Sequence, residues 1–365
     1  MRFLFASCRS YLPDRVDGAI MSAHSLLRIL VQRGHRCEVV AGIESAGRLR
    51  LSAYRVRRLL TRRRRLAWPD YHHGYPTLRT WGTMVPHLVA ERIGRSRPDL
   101  FLTQLEGADR LATRAAEAGV ATVVFVHDAE FRWIRGAFAP ELPILLVSVS
   151  RFVADRVRER LGVESVVLPP IVMQNDYIAP RGAPGYVTLV NPVREKGVEV
   201  ALQVAALLPH RRFLFVETWP LPPERRRELE RRLEALPNVR LHGPTLHMRS
   251  IYGKTSLLFA PSQWDEAFGR VLLEAQSSGI PVVASDVGGV SEVIHGGGTL
   301  LPRSAPPLDW ARAIEDCLLD QQRYARLSYD AKANSTRAEF NPDCIADRFL
   351  ELAAEHASRA GAVTA

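Results

Sequence analysis

Short apolar runs alternate with amphipathic stretches along the whole chain. The first run, Arg2 to Ala6, is brief and apolar, the pattern of a strand buried on both faces of a parallel sheet. Asp17-Gly18-Ala19 marks a loop. From Ile20 to Gln32 the residues Ala23, Leu26, Leu27 and Leu30 fall at helical spacing. Gly34 ends that helix, and Cys37 to Ala41 is the next strand. Further strands are predicted at Leu100 to Thr103, Thr122 to His127 and Ile144 to Val149. Ser150 is a good N-cap for a helix through Arg160, which Gly162 stops. From Met173 to Gly185 proline and glycine interrupt the pattern, which reads as a linker. A second alternating series follows, with strands at Tyr186 to Val190, Arg212 to Val216, Val239 to His242, Ser256 to Ala260 and Pro281 to Ser285. Trp310 to Leu319 and Pro342 to Glu355 read as closing helices.

Repeated β-α alternation predicts an α/β fold with mostly parallel sheets covered on both faces. Two such series joined by a linker predict two doubly wound domains, and 365 residues suffice for both. The expected division is 1–178, 179–340 and a terminal helix with tail at 341–365, the last packing back on the N-terminal domain.

Composition changes this picture little. Apolar residues make up 47% and charged residues 24% of the chain, as in ordinary globular proteins. No apolar run has the length of a membrane-spanning helix. Met1 to Ala6 is too short for the apolar part of a signal peptide. Cys8, Cys37, Cys317 and Cys344 are scattered and have no metal-ligand spacing, so they read as reduced thiols and the protein as cytoplasmic. The net charge of +10 is almost all arginine, with lysine only at 196, 254 and 332. An arginine bias of this kind is weak evidence for a nucleic-acid partner. Arg55, Arg57, Arg58 and Arg62 to Arg65 precede Trp68, Tyr71, Tyr75 and Trp81. That stretch is either a solvated basic surface or an element for acceptor binding or peripheral membrane contact.

The chemistry concentrates between residues 257 and 292. Leu257-Leu258-Phe259-Ala260 is a buried strand that ends at Pro261-Ser262. A polar loop follows, and Phe268-Gly269 opens a helix from Arg270 to Ser277. Ligands of open α/β sheets bind outside the carboxyl ends of the strands, where a helix N-terminus suits a phosphate. Gly269 permits close backbone approach. Glu274 can accept two hydroxyl hydrogen bonds, as from a diol. Asp286-Val287-Gly288-Gly289 makes a second glycine-rich turn at the same edge, leading to Glu292.

The run from Glu266 through Phe268-Gly269, Glu274 and Gly288-Gly289 to Glu292 resembles the donor-binding signature of retaining GT-B glycosyltransferases of the group 1, family 4 type. Seven residues separate Glu266 from Glu274, and the local Phe-Gly and downstream Gly-Gly agree as well. The resemblance implies two Rossmann-like domains facing a cleft. It implies that Glu266 contacts the donor sugar, that Glu274 holds the nucleotide ribose, and that the Phe268-Gly269-Arg270 backbone faces the phosphates or sugar. Asn191-Pro-Val-Arg194-Glu-Lys196-Gly197 resembles the family's diphosphate-binding turn. Lys196-Gly197 is kept, but Asn191 stands where an arginine is expected. Arg194 is the candidate to compensate; otherwise Asn191 gives a weaker, neutral hydrogen bond. Gly18 stands in the place of a Gly-Gly loop, supplying a tight turn. His127, at a strand end, is the candidate to point into the cleft near the sugar.

The implied reaction transfers a sugar from a nucleoside-diphosphate donor, UDP- or GDP-linked, to an acceptor, with Lys196 and the helix N-terminus stabilising the leaving phosphate. Attack on the same face as the leaving group requires no enzymic nucleophile. No Asp-x-Asp pair or His/Cys cluster with metal spacing occurs, so no metal is expected. The acceptor stays open among a glycan, a lipid-linked precursor and a small molecule. Two other readings compete. One is a nucleotide-sugar epimerase of the same architecture; the other is a non-catalytic binder of nucleotide sugars or nucleic acid, against which Lys196, Glu266 and Glu274 together argue.

Overall fold

A computed structural model of the chain describes residues 1–43, 67–71, 73–134, 136, 138–180, 185–219, 221–245 and 247–363. The basic run between Arg55 and Arg65 lies outside them. The chain divides into two units, Met1–Ile171 with Asp343–Ala365, and Val172–Pro342.

The first unit carries β1 (Arg2–Ser10), β2 (Arg36–Ile43), β3 (Trp68–Asp70), β4 (Thr77–Trp81), β5 (Leu100–Gln104), β6 (Thr122–Val126), β7 (Ile144–Ser148) and β8 (Val166–Val167). Their order is β3-β4-β2-β1-β5-β6-β7-β8, parallel except for β3 against β4. Covered faces explain the continuous apolar runs: every residue of β5 and β6 is buried. The helix Gly18–Gln32 starts where the Asp17 carboxylate accepts the Ile20 amide at 3.0 Å, and buries Ile20, Ala23, Leu26, Leu27 and Leu30. Ser150 caps the helix Arg151–Leu161 through the Val153 amide, and Gly162 closes it at φ 68°. The C-terminal helix Pro342–Val363 belongs to this unit from Asp343 onward. Its Phe349 ring lies 6.0 Å from both Phe3 and Phe125, and His356 Nε2 donates to the carbonyls of Thr122 and Pro143. Burial holds the His356 pKa below its usual value.

β4 escapes the sequence pattern for a physical reason. Its buried positions are Thr77, Arg79 and Thr80, so hydrophobicity does not mark it. Arg79 is 1% exposed. It donates to Asp70 and to the Leu12 carbonyl, each at 2.5 Å, and pairs with Asp14 at 3.4 Å. A buried guanidinium is tolerable only with such a set of acceptors.

The second unit carries β9 (Tyr186–Val190), β10 (Phe213–Val216), β11 (Val239–His242), β12 (Thr255–Ala260), β13 (Val282–Ser285) and β14 (Gly298–Leu301). The order is β11-β10-β9-β12-β13-β14, all parallel. Phe213, Phe215, Phe259 and Trp310 anchor its core, the Phe259 and Trp310 rings 5.6 Å apart. The strand order reverses between β9 and β12. Strands on either side connect outward in opposite directions, which leaves a crevice beyond their carboxyl ends. Among the described residues no helix is long and apolar enough to cross a membrane.

Candidate functional site

The loops that leave β9 and β12 meet at this reversal. The Gln263 amide donates to the Glu195 carbonyl at 2.8 Å, stitching one loop to the other. Gly197 sits at φ 79°, and a Cβ there would fall 1.9 Å from the Pro261 carbonyl oxygen, so only glycine lets the loops approach this closely. Lys196 Nζ donates to Glu266 Oε1 at 2.5 Å, and the Ser262 hydroxyl donates to the same oxygen at 2.6 Å. The ammonium also lies 4.7 Å from the ring centroid of Trp264 and 5.5 Å from that of Trp219. Burial alone would raise the Glu266 pKa. The Lys196 charge and the hydrogen bonds from Lys196 and Ser262 outweigh it and hold the carboxyl below its ordinary value.

The second glycine-rich turn supports Glu266 from behind. The Gly289 amide donates to the Glu266 carbonyl at 2.8 Å. Gly288 has φ 57°, and a Cβ there would lie 2.1 Å from that same carbonyl oxygen. Arg303 clamps the far side of the loop, donating to the Gln263 carbonyl and pairing with Asp265.

The helix Arg270–Ser277 begins at Gly269, in left-handed geometry at φ 83°. Phe268 is buried, edge-on to Phe340 at 6.0 Å. Glu274 and Arg270 are both buried and pair at 2.9 Å. Tyr252 donates to the other Glu274 oxygen at 2.9 Å, and Arg270 Nη2 donates to the Tyr177 hydroxyl at 3.2 Å. Burial raises the Glu274 pKa, with Arg270 and the tyrosines acting against it. Burial likewise pushes Tyr177 up to about 12. The Arg270 side chain therefore belongs to the interior. Glu274 thus accepts hydrogen bonds from Arg270 and Tyr252 among others.

The first turn carries Asn191 and Arg194. Asn191 uses its side-chain oxygen inside the fold, and a phosphate would be met by its Nδ2–H donors. Its Oδ1 accepts from the Thr218 amide, the Thr218 hydroxyl and the Trp219 amide, each at 2.8 Å. Arg194, the candidate compensating cation, lies at the surface on the turn Arg194–Lys196, and its charge acts on Glu199.

In the first unit, His127 Nε2 donates to Gln104 Oε1 at 2.8 Å across the carboxyl ends of β5 and β6. Gln104 is 1% exposed. Gly18 makes no left-handed turn. It is the first residue of its helix, and the entry is made by the Asp17 cap.

The structure thus brings Lys196, Glu266 and the start of the helix at Gly269 to one sheet edge, with Glu274 a turn behind. It adds Trp219, Trp264, Ser262 and Tyr252. Trp219 follows a strand that lacks a glycine-rich turn, and Trp264 lies two residues before Glu266. No local pattern says that the two rings share one cation. Among the described residues no three His, Cys, Asp or Glu side chains are placed to hold a metal ion.

Residues 185–320 match the family model described as glycosyl transferases group 1, and residues 16–172 match the model described as glycosyltransferase family 4. A D-inositol 3-phosphate glycosyltransferase of Nocardia farcinica is 38% identical over 124 residues, 32% of this chain and 27% of that relative. The alignments thus span about a quarter of the length of such curated relatives. Sucrose-phosphate synthase of Thermosynechococcus elongatus superimposes with a TM-score of 0.78 at 16% identity, covering 97% of this chain and 98% of the other. An Anabaena protein solved with UDP-glucose superimposes with a TM-score of 0.75 at 19% identity, covering 97% and 100%. At these identities the solved structures show the fold, GT-B.

Proposed function

Since the chain belongs to the group 1, family 4 glycosyltransferases, we propose that it transfers a sugar from a nucleoside-diphosphate donor to an acceptor hydroxyl, with UDP as the nucleotide. The observation that carries this is the Lys196–Glu266 pair at the reversal between β9 and β12, beside the start of the helix Arg270–Ser277. A cation and a helix N-terminus at one crevice suit a diphosphate. The carboxylate beside them suits sugar hydroxyls, and Glu274 suits the ribose. UDP is favoured over GDP because a structural neighbour was solved with UDP-glucose.

As the anomeric C–O bond breaks, negative charge grows on the departing phosphate. Lys196 is the candidate to meet that charge, and fixed electrostatics of this kind are usually the largest catalytic term. Glu266 is held by Lys196 and Ser262, which suits it to orient hydroxyls and makes it a poor nucleophile. That favours attack by the acceptor on the face the phosphate leaves, with retention of anomeric configuration. Residues 172–342 would then be the donor half and the first unit the acceptor half. His127 is assigned to the donor sugar. The Arg55–Arg65 stretch, lying outside the described residues, is the candidate for a lipid-linked acceptor or membrane contact.

The test is a thermal-shift and calorimetric titration with UDP, GDP, ADP, dTDP and UDP-glucose, on wild type, Lys196→Ala and Glu274→Gln. A ligand that binds only the folded state at 100 times its Kd stabilises by about 2.7 kcal/mol. Stabilisation by UDP and UDP-glucose that both variants lose supports the reading. A folded protein that responds to none of these ligands overturns it. Turnover of UDP-glucose without any acceptor to an isomeric sugar nucleotide would instead identify an epimerase.

A further inference from the structure

Asn191 occupies a backbone conformation that side-chain-bearing residues rarely adopt, φ 61°, at the end of β9. Asparagine tolerates it better than most residues. Its Oδ1 gathers three hydrogen bonds from Thr218 and Trp219, the residues that leave β10 beyond Glu217. The Trp219 indole is thereby fixed beside Trp264, the two rings 6.3 Å apart and steeply inclined. Both indoles face the Lys196 ammonium, and Glu266 supplies its counter-charge. The buried Trp264 N–H also helps lower the Glu266 pKa.

We propose that Asn191 and Trp219 are positioning residues that immobilise Lys196 in advance for the diphosphate of the donor. The proposal rests on the donor site described above. A free lysine side chain has four rotatable bonds, and confining it on binding opposes affinity. Here two aromatic faces and one carboxylate confine it before any ligand arrives. Lys196 has three N–H donors, of which Glu266 takes one. Among the described residues no hydrogen-bond acceptor meets the other two, and phosphate oxygens would suit them. The site thus gains from order what an asparagine in this turn cannot supply as charge.

The experiment measures Kd for UDP, inorganic pyrophosphate and uridine by calorimetry, on wild type, Asn191→Gly, Trp219→Leu and Trp219→Phe. Glycine at 191 accepts the left-handed backbone and removes only the side chain. Asn191→Gly and Trp219→Leu are expected to weaken UDP and pyrophosphate about three- to tenfold, the range set by freeing one flexible side chain. Uridine binding is expected to stay the same, and Trp219→Phe to fall between wild type and leucine. In a Lys196→Ala background neither Asn191→Gly nor Trp219→Leu should weaken UDP further, because the group they position is gone. Equal loss of uridine affinity, or undiminished affinity for UDP and pyrophosphate, overturns the positioning role. If Asn191→Gly does not fold, the half-buried Trp219 pair of variants decides alone. Wild-type protein that binds neither UDP nor pyrophosphate sinks the donor reading itself, a result distinct from tight wild-type binding that the variants leave unchanged.

Discussion

Replacing Gly288 with alanine places a methyl carbon 2.1 Å from the Glu266 carbonyl oxygen and 2.8 Å from its amide nitrogen. Real Cβ atoms essentially never approach closer than 3.0 Å, and both contacts are backbone, so no side chain can swing away. The two turns must separate by roughly 1 Å, and a shift of that size at a group that orients the substrate, as proposed for Glu266, costs about 10²-fold in rate. Three terms add up in stability. A left-handed alanine costs about 1–2 kcal/mol, the Gly289 amide bond to Glu266 is weakened by about 1 kcal/mol, and residual crowding adds about 1 kcal/mol. Together they lower the melting temperature by about 5–15 °C. Acceptor-independent hydrolysis of the proposed donor, UDP-glucose, reads the rate, and thermal unfolding reads the stability. Gly94→Ala is the control: it lies in the helix Val85–Ser96 with nothing within 4 Å of its added methyl. It should stabilise by about 0.5–1 kcal/mol and leave turnover alone. A Gly288→Ala protein with wild-type turnover and an unchanged melting temperature would refute the claim that this turn braces Glu266.

Three further outcomes are expected. Lys196→Met removes the charge that holds the Glu266 pKa down, leaving a buried carboxylate unpaired at a cost of about 3–5 kcal/mol at neutral pH. A depressed carboxyl contributes stability above its unfolded pKa and loses it as pH falls through the folded one. Urea unfolding should therefore show the gap between variant and wild type narrowing below about pH 4, and a pH-independent gap would contradict the pairing. Arg79→Met strips the acceptors Asp70, Asp14 and the Leu12 carbonyl of their common donor, and should cost about 3–5 kcal/mol in denaturant unfolding. Gln104→Leu deletes the acceptor of His127 Nε2–H. Long-range proton–nitrogen NMR should show His127 losing its single tautomer while the overall spectrum persists, whereas an unchanged His127 signature would mean that Gln104 does not orient it.

Much of the architecture was legible because its signals are local. The bounds of Tyr186–Val190, Val239–His242 and Arg270–Ser277 follow from apolar runs and glycines a few residues away, and Ser150 caps its helix as its side chain dictates. Local signals fail where a buried element is polar, as in β4 with Arg79, or short and glycine-led, as in β14. The helix Gln321–Ser335 also went unmarked. Its buried end is held by Asn334, which donates to Gln276 and to the Val293 carbonyl, so part of its packing is hydrogen bonding.

The chemical types of the candidate site were likewise written in the chain: a lysine before glycine, two glutamates a fixed distance apart, two glycine-rich turns. Which partners those groups take was not. Asn191 bonds to residues 27 and 28 positions later, and Lys196 pairs with a carboxylate 70 positions away. Such pairings exist only because the sheet places β10, β9 and β12 side by side. Sequence spacing reports which side chains share one helix or strand. The order of strands decides which loops share a crevice, and there a glycine yields room for a carbonyl, an asparagine sets an indole, and two indoles hold a cation.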